Sequence, residues 1–386
     1  MKKLLVLAFV ITTLSQSCKK NDNNSPGHPK QADIPSIDAK MNTWMTQYLM
    51  PGAELGVSVN GKLVYKKGYG KADKESGDTV NGDSRFRIAS VSKLFTSAAI
   101  MKLVQDGKLS VTQKVFGAGG ILGTTYGTQP YKQYVTDITV DELLHHTCGG
   151  WGQSSDPALY DKTLNATQVI NWTLDNNLLA YPPGTHFDYS NFGYMLLAKI
   201  VEKLSGKTYE QYFTDEFLSK VNATHTTIAG TSLADRQLGE VKYYGQGTDI
   251  PYVYDYIQFL RADGAMGWCS NVSDLLKFAT SVDSSSTRPD ILNGNTLQIM
   301  TTTYPASNGL GFTFGCGWVV ESGEWFWWGS LPGTFAILYR NKNGICISAL
   351  ANSRAVNSVN SLFDFIGIIN YISTDNTIQW QNVDQF

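Results

Sequence analysis

The stretch RFRIASVSKLFTSAAIMKLVQDGKL, residues 85–109, places a serine and a lysine three positions apart at the head of an apolar run. From Ser90 to about Asp106 the periodicity predicts a helix, with Val91, Leu94, Phe95, Ala98 and Met101 on one face. Gly107 supplies a natural C-terminal stop. On that helix Ser90 and Lys93 share a face about one turn apart. Lys93 is the only charge between Arg87 and Lys102. Buried among Val91, Leu94, Phe95 and Ala98, its amine loses water and favours the neutral, basic form. A neutral amine beside a hydroxyl at a helix N-terminus makes an activated nucleophile, with the helix dipole and backbone N–H groups available to an oxyanion. The spacing alone also fits a capping serine beside a lysine that reaches for solvent. The same S-x-x-K spacing recurs at Ser17-Cys18-Lys19-Lys20.

The rest of the chain sets the frame. Its 386 residues, 42% of them hydrophobic, can bury a large core. A net charge of −2 without a long basic block gives no electrostatic case for nucleic acid. At the start, MKKLLVLAFVITTLSQSCKK has a lysine pair and an apolar-rich run from Leu4 to Leu14, too short to span a bilayer but suited to a signal-peptide core. Residues 1–17 therefore read as a signal peptide, and the polar segment 18–34 as a flexible tether. The start resembles a bacterial lipoprotein signal, which implies that Cys18 is lipidated. The expectation is an exported domain, acyl-anchored to a bacterial membrane on its periplasmic or cell-surface side. An ordinary signal peptide with an incidental cysteine is the alternative.

Of the other cysteines, Cys316 and Cys346 lie in apolar strand-like runs and read as buried thiols. Cys148 and Cys269 sit in glycine-rich loops and form a candidate disulfide in an exported protein. No C-x-x-C pair and no metal spacing among five histidines is present, so no metal and no cofactor is expected.

Residues 36–50 have a helical pattern, and Asn60-Gly61 between two alternating runs signals a hairpin. FTFGCGWVV, TFAILYR and ICISALAN follow as three strand-like runs, and Val356 to Ile372 as a closing amphipathic segment. The expected fold is α+β: an antiparallel β-sheet flanked by helices, built from 35–109 and 258–386, with a helical insertion over 110–257. No G-x-S-x-G elbow occurs, and SGKTY (205–209) lacks the first glycine of a P-loop, so α/β-hydrolase and ATPase readings are unsupported.

Six ordered segments resemble the serine β-lactamase and penicillin-recognising superfamily, nearest the class C β-lactamases, D-alanyl-D-alanine peptidases and family VIII esterases. They are GVSVNGKLVYKKGYGKAD, the Ser90 stretch, ITVDELLHHTCGG, YPPGTHFDYSNFGYMLLAKIVEKLSG, GAMGWCSNVSDLLKF and GSLPGT. The resemblance implies a β-lactamase/transpeptidase-like fold, generally monomeric and metal-free. Within it Ser90 is the nucleophile, and Lys93 with Tyr189 of Tyr189-Ser190-Asn191 acts as base. Asn191 then binds the substrate's acyl side. The other Y-x-N copy, Tyr339-Arg340-Asn341, ends a strand and reads as structural. The family's third motif, K-T-G or H-x-G, aligns with Trp327-Trp328-Gly329. Gly329 would let substrate approach the strand, and the backbone N–H groups of Ser330 and Ser90 would form the oxyanion hole. Trp327 stands where the family has Lys or His. An indole offers one N–H and an apolar face, which favours neutral acyl substrates over carboxylates. Arg354 and Arg340 are the cations that could replace the missing charge. The expected function is a serine hydrolase working through an acyl-enzyme on small ester, amide or peptide substrates. A catalytically silent binding protein on the same fold, or an acyltransferase using the same residues, are the alternatives.

Overall fold

The computed structural model describes residues 33–386 apart from 153–155, 249, 252, 256 and 285–287. Cys18, the signal segment and all but the last two residues of the tether lie outside the described residues.

Helix α1 (Pro35–Gln47) leads into the hairpin β1 (Gly52–Val59) and β2 (Lys62–Gly70). Asn60 and Gly61 both take positive φ, 48° and 72°, the conformation a tight two-residue hairpin needs. A short strand β3 (Phe86–Arg87) and a 3-10 turn over Ala89–Val91 precede α2 (Ser92–Gln105). Ser90 thus stands in the turn before the helix rather than in its first α-turn. The middle of the chain carries α3 (Val140–Leu144), α4 (Ala166–Asn176), α5 (Asn191–Ser205), α6 (Tyr209–Phe213) and a strand β4 (Thr227–Ile228). Next come α7 (Asp263–Met266), β5 (Trp268–Ser270), α8 (Val272–Ala279), α9 (Gly294–Thr301) and the small hairpin β6 (Asn308–Gly309) and β7 (Phe312–Thr313). The strands β8 (Val319–Glu321), β9 (Glu324–Leu331), β10 (Thr334–Arg340) and β11 (Ile345–Ala351) lead to α10 (Ser358–Thr374).

The main sheet has the order β2-β1-β11-β10-β9-β8, and every pair is antiparallel. On one face α1 packs beside α10, where Trp44, Phe335 and Phe365 meet ring to ring at 4.9–5.7 Å. On the other face α8 lies so close that a Cβ at Gly56 would stand 2.9 Å from Leu276. Phe95 of α2 is enclosed by Phe213, Trp268 and Phe278 at 4.6–5.4 Å. A second sheet, β3-β5-β4, holds the chain just before Ser90. There Arg87 and Glu240 form a fully buried ion pair at 2.8 Å, with Tyr243, Tyr254 and Phe259 around the guanidinium. The α+β architecture matches the expectation.

Two readings are corrected. The run FTFGCGWVV is not one strand: it breaks between β7 and β8, where Gly317 takes φ 78° and bends the chain onto α2. The candidate disulfide is absent, and Cys148 and Cys269 are free, buried thiols. Cys269 is held in β5 between Arg87 and Thr227, whereas the Cys148 Sγ donates to the Gly150 carbonyl, so each is committed to its own packing. Burial pushes the Cys148 thiol up to about 12, which makes it inert. Cys316 and Cys346 are also free and buried, as read. Among the described residues no helix is long and apolar enough to cross a membrane.

Candidate active site

Ala89 precedes Ser90 with φ 45°, a left-handed conformation that costs a non-glycine residue roughly 1–3 kcal/mol and that surrounding packing must enforce. Ile88 N–H donates to the Trp268 carbonyl, and the Thr334 hydroxyl donates to the Arg87 carbonyl, so two strands hold the turn. Ser90 is half-buried at the mouth, and Lys93 is fully buried one turn along. Lys93 Nζ reaches Ser90 Oγ at 3.2 Å, Asn191 Oδ1 at 2.6 Å and the Ala265 carbonyl at 2.9 Å. Burial lowers its pKa to about 7, and the Asp156 carboxylate nearby works against that shift. Close to neutral pH a sizeable fraction of Lys93 is therefore an uncharged amine within reach of a serine hydroxyl.

Tyr189 lies over Lys93, with Nζ 4.8 Å from its ring centroid. Burial raises the phenol's pKa, while the Ser90 hydroxyl and the Trp327 indole pull it back. Neither the Tyr189 hydroxyl nor the Trp327 Nε1–H makes a well-formed hydrogen bond, although both atoms are buried. The two rings are 5.6 Å apart. They present an acid–base group and a donor side by side, both without a fixed partner.

The segment bearing Tyr189 is fixed from both sides by one residue that the sequence reading left without a role. His146 accepts the Asp188 N–H on its carbonyl at 2.7 Å and the Ser190 N–H on Nδ1 at 3.1 Å. Its ring packs 4.4 Å from that of Tyr189. Since Nδ1 accepts, the proton of the neutral ring is on Nε2, and burial with Lys93 nearby holds the pKa well below the usual imidazole range. Asp156 was missed as well. It is 5% exposed and accepts the N–H groups of Asn191 at 2.5 Å and Phe192 at 3.1 Å, fastening the start of α5. Burial raises its pKa to about 6. A negative charge at a helix N-terminus is favourable, and this one also sits near Lys93. In sequence His146 and Asp156 are ordinary loop residues; only the fold brings them to Tyr189 and Asn191.

The third element is β9. A Cβ at Gly329 would overlap the Ile88 carbonyl oxygen and stand 2.8 Å from the Ser90 nitrogen, so only glycine lets the strand lie against the nucleophile turn. Strand β8 covers β9 only as far as Phe326, leaving Trp327–Leu331 with an open edge. Leu331 and Thr334 close a two-residue hairpin, so by antiparallel alternation the Ser330 N–H turns away from β10 toward that edge. Trp327 is buried against Tyr189 and Phe314. Arg340 is not brought to the site. Its guanidinium lies 4.1 Å over Trp325 and donates to the Asp283 carbonyl. Arg354 follows the end of β11, two strands from Ser330 at the same end of the sheet, and has a partner of its own. Tyr339 and Asn341 of the second Y-x-N copy are buried in and after β10, and Asn341 caps the following turn.

Among the described residues one group has metal-ligand types together: Asp141, His145 and Cys316, with ligand atoms within 4.8 Å. Both His145 nitrogens already face carbonyl oxygens, of Asp141 and Thr302, at 3.0 Å. Burial opposes its charge, yet Cys316 and Asp141 raise its pKa to about 12, in keeping with both ring nitrogens facing carbonyl oxygens.

A family model described as Beta-lactamase matches residues 37–367. Protein flp of Staphylococcus aureus (strain MW2) is 32% identical over 184 residues, 47% of this chain and 36% of that protein. The chain thus spans about a third of the length of these Staphylococcus relatives. The octameric penicillin-binding protein homologue from Pyrococcus abyssi superposes with a TM-score of 0.72 at 22% identity, over 88% of this chain and 77% of that one. D-amino acid amidase from Ochrobactrum anthropi SV3, complexed with L-phenylalanine, gives 0.71 at 21% identity, over 88% and 99%. The solved structures share the fold, and the family match over most of the chain shows that it belongs to the beta-lactamase family.

Proposed function

We propose that the protein hydrolyses neutral ester or amide substrates through an acyl-enzyme on Ser90. The observation that carries this reading is the buried Lys93 amine, poised near pH 7 and 3.2 Å from Ser90 Oγ. In the forward step the neutral amine, assisted by Tyr189, takes the Ser90 proton as Oγ attacks the substrate carbonyl. The oxyanion receives the backbone N–H groups of Ser90 and Ser330. Tyr189 returns the proton to the departing alcohol or amine. Water then enters, loses a proton to the same pair and releases the acid. Asn191 Oδ1 is engaged by Lys93, which leaves its Nδ2 donors for the substrate's acyl side.

Trp327 supports a neutral substrate. Where the family's Lys or His would meet a carboxylate, this chain places a buried indole N–H with no counter-charge. A fluorophosphonate probe should label Ser90 in the folded protein and leave Ser90→Ala unlabelled. In a screen of p-nitrophenyl esters, amino acid amides, D-Ala-D-Ala peptides and nitrocefin, turnover should favour uncharged acyl groups. Nitrocefin turnover far above ester turnover would overturn the assignment. We also propose lipidation at Cys18, supported by the sequence before it; incorporation of a palmitate analogue lost in Cys18→Ala is the check.

A further inference from the structure

A groove of about 230 Å³ opens beside Ser330 on the α10 face of β9. Leu310 and Phe312 from the β6–β7 hairpin form one wall, Val359 and Phe363 of α10 the other, and Trp328 the floor. No charged side chain lines it. Leu310, Val359 and Phe363 are 54%, 60% and 55% exposed, so three large apolar groups converge on solvent at one place. Isolated exposed apolar residues need no explanation, but a lined groove of them does.

The groove meets the candidate site at Ser330. Trp327 and Trp328 alternate across the strand, yet their ring centroids approach to 4.2 Å. Trp327 is 5.6 Å from Tyr189, and Trp328 is 5.5 Å from Phe312. An unbroken run of aromatic rings therefore leads from the base to the groove. Ser330, whose N–H faces the oxyanion position, also lines the groove. A chain leaving the reacting carbonyl along this strand passes from polar donors onto purely apolar walls.

We propose that this groove is a subsite for an unbranched hydrocarbon chain, so that the substrates are esters or amides of medium-chain aliphatic groups. The proposal rests on the Ser90 reading for its chemistry and on the groove alone for its binding. The groove's own occupancy is tested in Ser90→Ala protein, which needs no turnover, by calorimetry with alkyl methyl ketones from 2-butanone to 2-decanone. Affinity should rise roughly two- to fourfold per methylene and then level off once the groove is filled. Phe363→Asp and Leu310→Asp, both at exposed positions, should flatten that series while leaving 2-butanone binding unchanged. In the active enzyme the same variants should lower the ratio of kcat/KM for p-nitrophenyl octanoate over acetate by ten-fold or more, acting through KM. Equal chain-length dependence in wild type and both variants would overturn the subsite. A chain-length effect on ketone binding that disappears in the variants, in a protein without esterase activity, would keep the subsite and sink the Ser90 reading instead.

Discussion

Lys93 Nζ stands closer to Asn191 Oδ1, at 2.6 Å, than to Ser90 Oγ, at 3.2 Å. The amide oxygen is a neutral partner, so it orients the amine without holding its proton. Asn191→Asp would place a carboxylate there and favour the ammonium. The acid limb of kcat/KM, expected near pH 7 in the wild type, should move up by one unit or more, with at least about a five-fold loss of rate at pH 7. A pH profile of ester hydrolysis decides this, and an unmoved limb would remove Lys93 as the base.

Asp156 already acts on the same amine as such a carboxylate would. Its carboxylate, itself raised to about 6 by burial, is charged above that pH and there raises the pKa of Lys93. Asp156→Asn removes the charge, so the acid limb should shift to lower pH. Losing the charged contacts to Asn191 and Phe192 N–H should also cost about 1 kcal/mol of stability, read by denaturant titration.

Gly329→Ala tests the contact between β9 and the nucleophile turn. Its methyl would overlap the Ile88 carbonyl, and the strand must retreat. A loss of about 1–3 kcal/mol of stability is expected, together with a hundred-fold or greater fall in kcat/KM as the Ser330 N–H leaves the oxyanion position.

His146 is a positioning residue. Phenylalanine keeps the ring against Tyr189 but leaves the buried Ser190 N–H without an acceptor. His146→Phe should lower kcat some ten- to hundred-fold with KM little changed, and His146→Asn should recover part of that loss. A fall confined to KM would contradict the assignment.

The Arg87–Glu240 pair gives a prediction about stability first. Both side chains are fully buried, so Glu240→Ala strands a guanidinium. Removing one partner of such a pair costs about 3–5 kcal/mol. Thermal unfolding should fall by roughly 5 °C, with larger effects on activity because Arg87 lies three residues before Ser90.

Local signals carried much of the fold. Asn60-Gly61 announces the β1–β2 hairpin because two positive φ values in succession suit almost nothing else. Asn271 caps α8, accepting the Asp274 N–H. The Ser90–Lys93 pair, the Y-x-N motif and Gly329 stood out in the sequence because the chemistry proposed for them tolerates few residue types. His146 and Asp156 were not, since a backbone acceptor or helix-end carboxylate can come from any loop the fold delivers. Cys148 and Cys269 misled for the same reason: glycine-rich surroundings suggest exposure, whereas one thiol ended in a strand and the other on a loop carbonyl. The break after Phe312–Thr313 was hidden because glycine within an apolar run reads equally as strand or bend.

The two donors placed for the oxyanion belong to the main chain, one in the turn at Ser90 and one on β9. No point substitution other than proline can delete a peptide N–H. In the proposed reaction both donors therefore survive side-chain substitution, and Trp327 can stand where the family has a charged residue without removing either. The vulnerability lies in length rather than identity. One residue inserted into the Pro332-Gly333 turn would slip the register, exchange the faces of Trp327, Gly329 and Ser330, and erase donor, clearance and wall together.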